Sequence, residues 1–558
     1  MIEVLGKRDE FGVDVEIIIR KHHLPHEFPH DVLFEAGAVP AELSPKETAR
    51  RRDFRDLPIV TIDGETAKDF DDAVAVAPLP NGNFELQVHI ADVSHYVLPG
   101  SSLDREARLR GTSVYFPDRA VPMLPPELSS GICSLKPQED RLVLSVLMEI
   151  GHDGEILRAE FCEGMIRSAE RMTYTAVNAV ALILNKKRQK MGAIDFDLPE
   201  PVIEFDESGT MIGITRSERN VAHRIIEEFM LAANEAVARH LEGRGVSSLY
   251  RIHETPDPAK VMEFEEIAAT FGYSLGIGAL PVRRFSTGRR GEGSGRRQQT
   301  IELPAGELDI TPRHYQHLTD QIAGKPEERI LSYLMLRSLK QACYRERNVG
   351  HFALALPCYT HFTSPIRRYP DLIVHRILRA VMASSPSVER SEQGDGRAEA
   401  VAFPARETKR QEVRSKSALR KQRQRSGSPD HIPDPISATE LSAIGVESSE
   451  AERRAADAER ELIEWKQARF MRERLGEEFD ALIISVFKFG FFVELIELFI
   501  EGIVPIETLT DQRYVFQEQQ RQWVGERTRQ RFRIGDRLRV RLDRIGELGG
   551  KMAFSVVP

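Results

Sequence analysis

The chain has little that would tie it to a membrane or to an oxidising compartment. Its 558 residues include only four cysteines, Cys133, Cys162, Cys343 and Cys358, widely separated and without a CxxC pair. That spacing argues against structural zinc and against a disulfide framework, and it suits a reducing cytoplasm. No stretch approaches ~20 uninterrupted apolar residues, so no membrane span is expected. The charged start, MIEVLGKRDEFG, has no signal-peptide core. An overall basic excess is missing too: the net charge is −9, whereas nucleic-acid binders usually run positive. Basic residues nevertheless gather locally, at Arg283–Arg297 and Lys409–Arg425. What remains is the composition of a soluble globular protein, 41% apolar and 29% charged. A chain of this length calls for about two to four domains.

Four aspartates, Asp63, Asp69, Asp71 and Asp72, fall within ten residues of the stretch IVTIDGETAKDFDDAVAV, Ile59–Val76. The β-branched run Ile59–Ile62 reads as a buried strand ended by Gly64, and Ala73–Ala77 as another. Carboxylates clustered between two strands either bind cations or repel one another at a cost. Hard cations such as Mg²⁺ prefer such oxygens, and a pair of them suits in-line displacement at a phosphodiester. A calcium loop fits poorly, because Ala67 and Val74 fall where the fifth and twelfth ligands belong. An acidic surface turn is the bland alternative, but solvated turns seldom sit between apolar runs. A metal site is the expectation.

Elsewhere the spacing predicts an amphipathic helix at Val13–Arg20 and a hairpin around Pro80-Asn81-Gly82. It also predicts a buried helix at Val221–Leu241, and a strand then an N-capped helix start at Ser248–Pro258. A further helix is expected at Ile330–Tyr344. Gly111–Ser129 (GTSVYFPDRAVPMLPPELS) is a proline-stiffened loop around Tyr115. An exposed tyrosine there suits base stacking, but the spacing alone favours a core tyrosine in a rigid connector. Arg283–Arg297 reads either as a phosphate contact or as a solvated loop. Ser364-Pro365 reads as a helix start that puts Arg367 and Arg368 in the first turn. Cations there oppose the helix dipole and imply an anionic partner, a phosphate or a nearby aspartate. Ser384–Ser437 is poor in large apolar residues and is expected to be disordered. Its basic run, Lys409–Arg425, fits a weak RNA contact or a plain solvated insertion. A long charged helix carrying Glu459 and Trp465 ends at Leu475. Gly476–Pro558 holds about five short strands, the pattern of an OB barrel, with Gln517–Gln530 as a polar intervening segment. Phe489, Phe491 and Phe492 around Gly490 offer aromatic platforms for single strands, although alternation puts half of them in the core.

DGETAKDFDD, GTSVYFPDRAVPMLPPELS and YTHFTSPIRRYPDLIVHR, in that order, closely resemble motifs of the ribonuclease II/ribonuclease R (RNB) family, with ribonuclease R the nearer branch. The resemblance implies an α+β fold: an RNB catalytic domain of mixed β-sheet and surrounding helices, then an all-β OB barrel of S1 type. The division implied is a remnant of a cold-shock OB domain with its linker (1–40), the catalytic domain (41–383), a basic insertion (384–437), the closing helix (438–475) and the S1 domain (476–558). The implied activity is processive 3′-to-5′ hydrolysis of single-stranded RNA with a free 3′ end, giving nucleoside 5′-monophosphates. Mg²⁺ is the implied cofactor, with Mn²⁺ as a substitute. A cytoplasmic monomer is implied, with the ribosome or the RNA-degradation machinery as candidate contacts.

Carried over by residue, Asp63, Asp69, Asp71 and Asp72 match the metal-site aspartates, and Asp71 and Arg367 lead the catalytic set. Tyr115 matches the tyrosine that stacks on the 3′-terminal base, and Arg367 the arginine on the scissile phosphate. Glu459 resembles a glutamate near the terminal nucleotide. Arg368, Phe489 and Phe491 complete the expected RNA-binding set. The sequence departs from the family in its short N-terminal region, in lacking a basic C-terminal tail, and at Pro505, where many S1 domains carry histidine. Two other readings stay open: a catalytically silent RNB/S1 protein that binds and regulates RNA, and a two-metal DNA exonuclease.

Overall fold

The turn at Pro80-Asn81-Gly82 sets the geometry of the main sheet. Gly82 takes φ 86°, a left-handed conformation open to glycine because it has no Cβ, and Leu79 N–H bonds Asn83 O in turn, with Leu79 to Asn83 at 2.8 Å. Strands Asp72–Pro78 and Phe84–Ala91 therefore pair antiparallel, with Asp72 opposite Ile90. The computed structural model describes residues 3–6, 10, 12–40, 42–62, 67–169, 174–195, 201–205, 211–216, 221–277, 310–325, 327–384, 401–402, 434–518, 520–546 and 551–557. The sheet runs in the order Arg52–Asp53, Ile156–Arg167, Asp140–Ile150, Phe84–Ala91, Asp72–Pro78. Leu86–Ala91 is buried at every residue, so this strand meets solvent on neither face, its polar Gln87 and His89 included. Helix Val221–Arg244 packs against it. Ile59–Ile62 forms no strand. Its one bridge joins Val60 to Val74, after which the chain leaves the sheet toward the aspartates.

A buried ion pair ties the end of this sheet to the helices. Arg51 Nη2 meets Asp92 Oδ2 at 2.7 Å with both side chains fully buried, and Arg379 Nη1 stands 3.2 Å from Asp92 Oδ1. Burial alone would raise the Asp92 pKa, but the two guanidinium groups outweigh it and hold the value at about 2. A depressed carboxyl stabilises the fold above its unfolded value of 3.8. That contribution is lost as pH falls through the folded value. Arg51→Ala strips the buried carboxylate of its main partner and is expected to cost about 3–5 kcal/mol at pH 7 in urea unfolding. A loss of about 1 kcal/mol, the most an exposed pair gives, would count against a stabilising role.

Helix Ala438–Arg472 closes the catalytic region. Ser437 Oγ accepts the Glu440 N–H at 3.2 Å, the cap its Ser-x-x-Glu start predicts. Its buried face is small, with Gly445, Ser448, Ala451, Ala455 and Ala458, which lets it lie close to strand Cys343–Arg345. A Cβ on Gly445 would stand 2.8 Å from Tyr344 O. The helix expected at Ile330–Tyr344 is Glu328–Ser338. It stops early because Cys343–Arg345 is drawn into pairing with Tyr250–Ile252.

The C-terminal strands Glu478–Phe487, Gly490–Leu495, Glu501–Pro505, Arg537–Ile545 and Met552–Val556 form a closed barrel. The expected α+β class and five-stranded barrel are both observed. The supposed polar connector is a correction: Tyr514–Gln517, Gln522–Gly525 and Arg531–Arg533 make a three-stranded sheet. Trp523 anchors it, 7% exposed, with its indole N–H donating to Phe487 O at 2.9 Å. The barrel core is continuous with helices Pro258–Thr270, Pro312–Ile322 and Glu328–Ser338. Arg283–Arg297 and Lys409–Arg425 lie outside the described residues. Within Ser384–Ser437, Val401–Ala402 pairs with Ile156–Arg167. Among the described residues no helix is long and apolar enough to cross a membrane.

Candidate active site

The aspartates sit on a short extended segment tethered from three sides. Ser134 Oγ accepts the Phe70 N–H at 3.1 Å and donates to Lys68 O at 2.9 Å. Leu135 N–H reaches Phe70 O at 3.0 Å, and Ala91 N–H reaches Asp71 O at 2.9 Å. Asp69 and Asp71 are thus fixed either side of Phe70, which packs on the core, and Asp72 begins the edge strand.

Asp71 is the buried member, 4% exposed. Its Oδ1 accepts the Ile366 N–H at 2.9 Å. Its Oδ2 is buried and accepts no hydrogen bond among the described residues, and Arg367 Nε lies 3.5 Å away. Burial pushes the Asp71 pKa well above the usual carboxylate range. Arg367 and the Ile366 N–H pull it down, while Asp72 and Asp69 push it further up. Asp63 lies outside the described residues.

The arginines come from a turn, which corrects the expected helix start. Helix Tyr369–Ser384 begins five residues after Ser364, and Arg367 and Arg368 N–H both bond Ser364 O. Two carboxylates take the turn's donors in place of helix carbonyls. Asp71 holds Ile366, and Asp371 Oδ1 accepts both Ser364 N–H at 2.8 Å and Arg368 Nη2 at 2.7 Å. Arg368 therefore finds its anionic partner within the fold, only 18% of its side chain being exposed. Of the two anionic partners its position implied, a phosphate or a nearby aspartate, the fold supplies the aspartate. Arg367 keeps 44% of its side chain exposed.

The loop bearing Tyr115 is latched onto this turn. Ser113 N–H bonds Arg367 O at 3.0 Å, Thr112 Oγ1 donates to the same oxygen at 3.1 Å, and Tyr369 N–H bonds Gly111 O at 3.0 Å. Gly111 has φ 69°, and a Cβ there would meet Ala451 Cβ at 2.5 Å, so the latch needs glycine. Tyr115, 44% exposed, is not a core residue. Its hydroxyl donates to Asp69 Oδ2 at 2.8 Å, and its N–H to Glu459 Oε1 at 2.8 Å. Burial raises the Glu459 pKa, with the Tyr115 N–H opposing. Beneath the hairpin that this loop forms by pairing Val114–Tyr115 with Ala120–Val121, Val15, Ile18 and Ile19 of helix Val13–Lys21 pack with Val114, Phe116 and Leu462.

The barrel aromatics divide into an exposed group at the turn between strands Glu478–Phe487 and Gly490–Leu495 and a buried residue on the second strand. Phe489 is 55% exposed and stacks on Phe487 at 5.3 Å with rings 4° apart. Phe492 stands edge-on to both. Phe491 is a correction: fully buried, it stacks on Phe532 inside the barrel and presents no face to RNA.

Among the described residues no three His, Cys, Asp or Glu side chains form a metal-holding group. The donor set still suits a hard cation. The unspent buried Oδ2 of Asp71 and the mutual repulsion with Asp69 and Asp72 are what a divalent ion would relieve.

The RNB domain family matches residues 51–182 and 175–384, the S1 RNA binding domain 473–556, and the cold shock domain 1–29. Ribonuclease R of Aquifex aeolicus is 39% identical over 100% of this chain and 72% of its own length. The chain belongs to the ribonuclease R family. Its members are 3′-to-5′ exoribonucleolytic hydrolases. Ribonuclease R of Escherichia coli is 35% identical across the whole chain, which spans 64% of that relative's length. The structure of Mycoplasma genitalium RNase R in complex with ribose methylated single-stranded RNA superposes with a TM-score of 0.80 at 25% identity, covering 100% of this chain and 79% of that one. Ser134, Asp371 and the Thr112–Ser113 latch are functional supports that reading the sequence did not single out. These act through backbone bonds that leave no periodic trace, and only Asp371, three residues after Arg368, gave a readable helix-spacing cue.

Proposed function

We propose that the chain is a processive exoribonuclease that takes single-stranded RNA by its 3′ end and releases nucleoside 5′-monophosphates. The observation that carries this is the meeting of Asp69, Asp71, Arg367 and Tyr115 at one site, joined by the 2.8 Å Tyr115–Asp69 bond and the 3.5 Å Arg367–Asp71 contact. Asp63, Asp69, Asp71 and Asp72 would hold Mg²⁺, for which Mn²⁺ can substitute; when bound, such a cation polarises the phosphodiester and lowers the pKa of an attacking water. Arg367 faces the phosphate and stabilises the negative charge that grows on it. Water adds at phosphorus and the bond to the penultimate O3′ breaks. The phosphate leaves on the 5′ carbon of the released nucleotide, and the shortened RNA keeps a 3′-hydroxyl. No protein nucleophile is needed. Tyr115 stacks on the terminal base, with Glu459 fixing its backbone, and contacts to 2′-hydroxyls select RNA over DNA. The reading includes a cytoplasmic monomer with a catalytic domain at 41–383, its closing helix at 438–475, an insertion at 384–437, an S1 domain at 476–558 and a cold-shock remnant at 1–40.

A 5′-labelled single-stranded RNA tests it. Mg²⁺-dependent, chelator-sensitive release of 5′-monophosphates, ending in one short 5′ fragment, is the expected result. Binding without cleavage would instead favour the silent regulator. Tyr115→Ala is expected to lengthen that end-product, because the last nucleotides lose their stacking anchor, while Tyr115→Phe keeps the wild-type length. A product ladder unchanged in Tyr115→Ala would remove Tyr115 from this role.

A further inference from the structure

Residues 526–544 carry eight arginines, no lysine and three acids, within a chain whose net charge is −9. The arginines alternate with core residues. Arg531 and Arg533 are exposed either side of Phe532, which is 4% exposed. Arg537, Arg539 and Arg541 are exposed on one face of their strand, while Val540 and Leu542 are fully buried on the other. Strand residues two apart stand roughly 6.6–6.8 Å apart, so three guanidinium groups line up along the outer wall. That wall is not the aromatic platform. Strand Arg537–Ile545 pairs with Glu478–Phe487 only over Glu478–Leu482, with Phe487 beyond the paired stretch, and strand Gly490–Leu495, which carries Phe492, is not beside it.

A charged strand often protects a sheet edge from pairing, but a closed barrel has no edge to protect. Solubility alone does not explain the exclusive use of arginine, whose planar fork matches phosphate oxygens where lysine offers a point charge. The acids present do not consume the row. Glu478 and Asp543 engage Arg539 and Arg541 through Nε at 3.0 Å, and these side chains stay 58% and 54% exposed. Exposed pairs of this kind exchange readily for another anion.

We propose, resting on the exoribonuclease reading above, that Arg537, Arg539 and Arg541, extended by Arg531 and Arg533, form a second RNA track on the barrel wall. The track grips the phosphates of the strand upstream of the 3′ end and is blind to sequence. The aromatic platform stacks bases, and the two faces hold different chemical parts of one RNA.

The test uses the full chain with Arg537→Gln, Arg539→Gln and Arg541→Gln combined, binding a long single-stranded RNA in chelator across a salt series. Loss of three phosphate contacts is expected to lower the slope of log affinity against log salt by about 2. The single change Arg537→Gln should lower it by about 0.7, which keeps the question answerable if the triple variant folds poorly. Phe489→Ala should weaken binding with the slope unchanged. Turnover of a short oligoribonucleotide by the triple variant in Mg²⁺ should match wild type. An unaltered slope and affinity on the long RNA would overturn the track, as would equal losses on short and long RNA. Wild-type protein that binds RNA but never cleaves it would sink the exoribonuclease reading, and the slope difference would still decide the track.

Discussion

Asp71→Asn is expected to lower turnover by at least ~10³-fold, about 4 kcal/mol of transition-state stabilisation, with RNA affinity nearly unchanged. Asparagine matches aspartate in size and keeps an oxygen to accept the Ile366 N–H, the bond now made at 2.9 Å. What it removes is the charge on a buried carboxylate whose Oδ2 accepts no hydrogen bond and faces Arg367 Nε at 3.5 Å. On the proposed function RNA is held by other groups, namely Tyr115 and the Phe487–Phe489 stack, so binding and chemistry should separate. Single-turnover cleavage beside fluorescence anisotropy measures both. Lost binding with cleavage intact would reverse the assignment.

The same substitution has a second signature, in stability. Burial, Asp72 and Asp69 raise the Asp71 pKa, so without a cation its folded form favours the proton. Its contribution is therefore present at low pH and lost as pH rises above the unfolded value. At neutral pH in chelator the Asn variant, which cannot ionise, should melt no lower than wild type. A large drop in Tm would show that Asp71 is held for structure, and the kinetic result would have to be read in that light.

Much of this site is legible in the sequence because its chemistry is carried by residues clustered along the chain. The aspartates, the SPIRR turn and the proline-stiffened Tyr115 loop can each be read locally. Features that need long-range partners are not. Arg368 looked like a phosphate ligand because its neutralising Asp371 is recruited by a turn in which Asp71, some 295 residues away in sequence, takes one of the backbone donors. Phe489 and Phe491 share parity and differ in setting: Phe489 lies in the turn between strands Glu478–Phe487 and Gly490–Leu495, whereas Phe491 is paired on the strand opposite Val504. Gly490 adds to this: at φ 143° a Cβ would stand 2.2 Å from Val504 O, and that close approach turns Phe491 inward. The polar run Gln517–Gln530 concealed a strand because only Trp523 and Val524 in it are apolar residues buried in the small sheet. Helix and hairpin positions fared better at Val13–Lys21, Val221–Arg244 and Asp72–Ala91, where periodicity and turn residues agree with the tertiary packing.

Arg367→Ala is expected to cost about 10²–10³-fold in kcat, as does loss of a single preorganised donor to a transition-state oxyanion, with a smaller change in KM. The geometry separates the side chain's duty from that of its backbone. The Arg367 carbonyl is held by Ser113 N–H and Thr112 Oγ1, and the turn by Asp71 and Asp371 through Ile366 and Ser364 N–H. Truncating the side chain breaks only the Nη2 bond to Ser364 Oγ at 3.0 Å and the long contact with Asp71, so the fold should persist. Arg368→Gln is the control from the neighbouring position: it leaves Asp371 buried with a weaker partner and should lower Tm more than it lowers kcat. Lysine at 367 should recover little, because an ammonium cannot span two phosphate oxygens while also reaching Ser364. If Arg367→Ala melted early with kcat intact, and Arg368→Gln lost activity at full stability, the two arginines would exchange roles. The scissile phosphate would then have to approach from the Asp371 side of the turn.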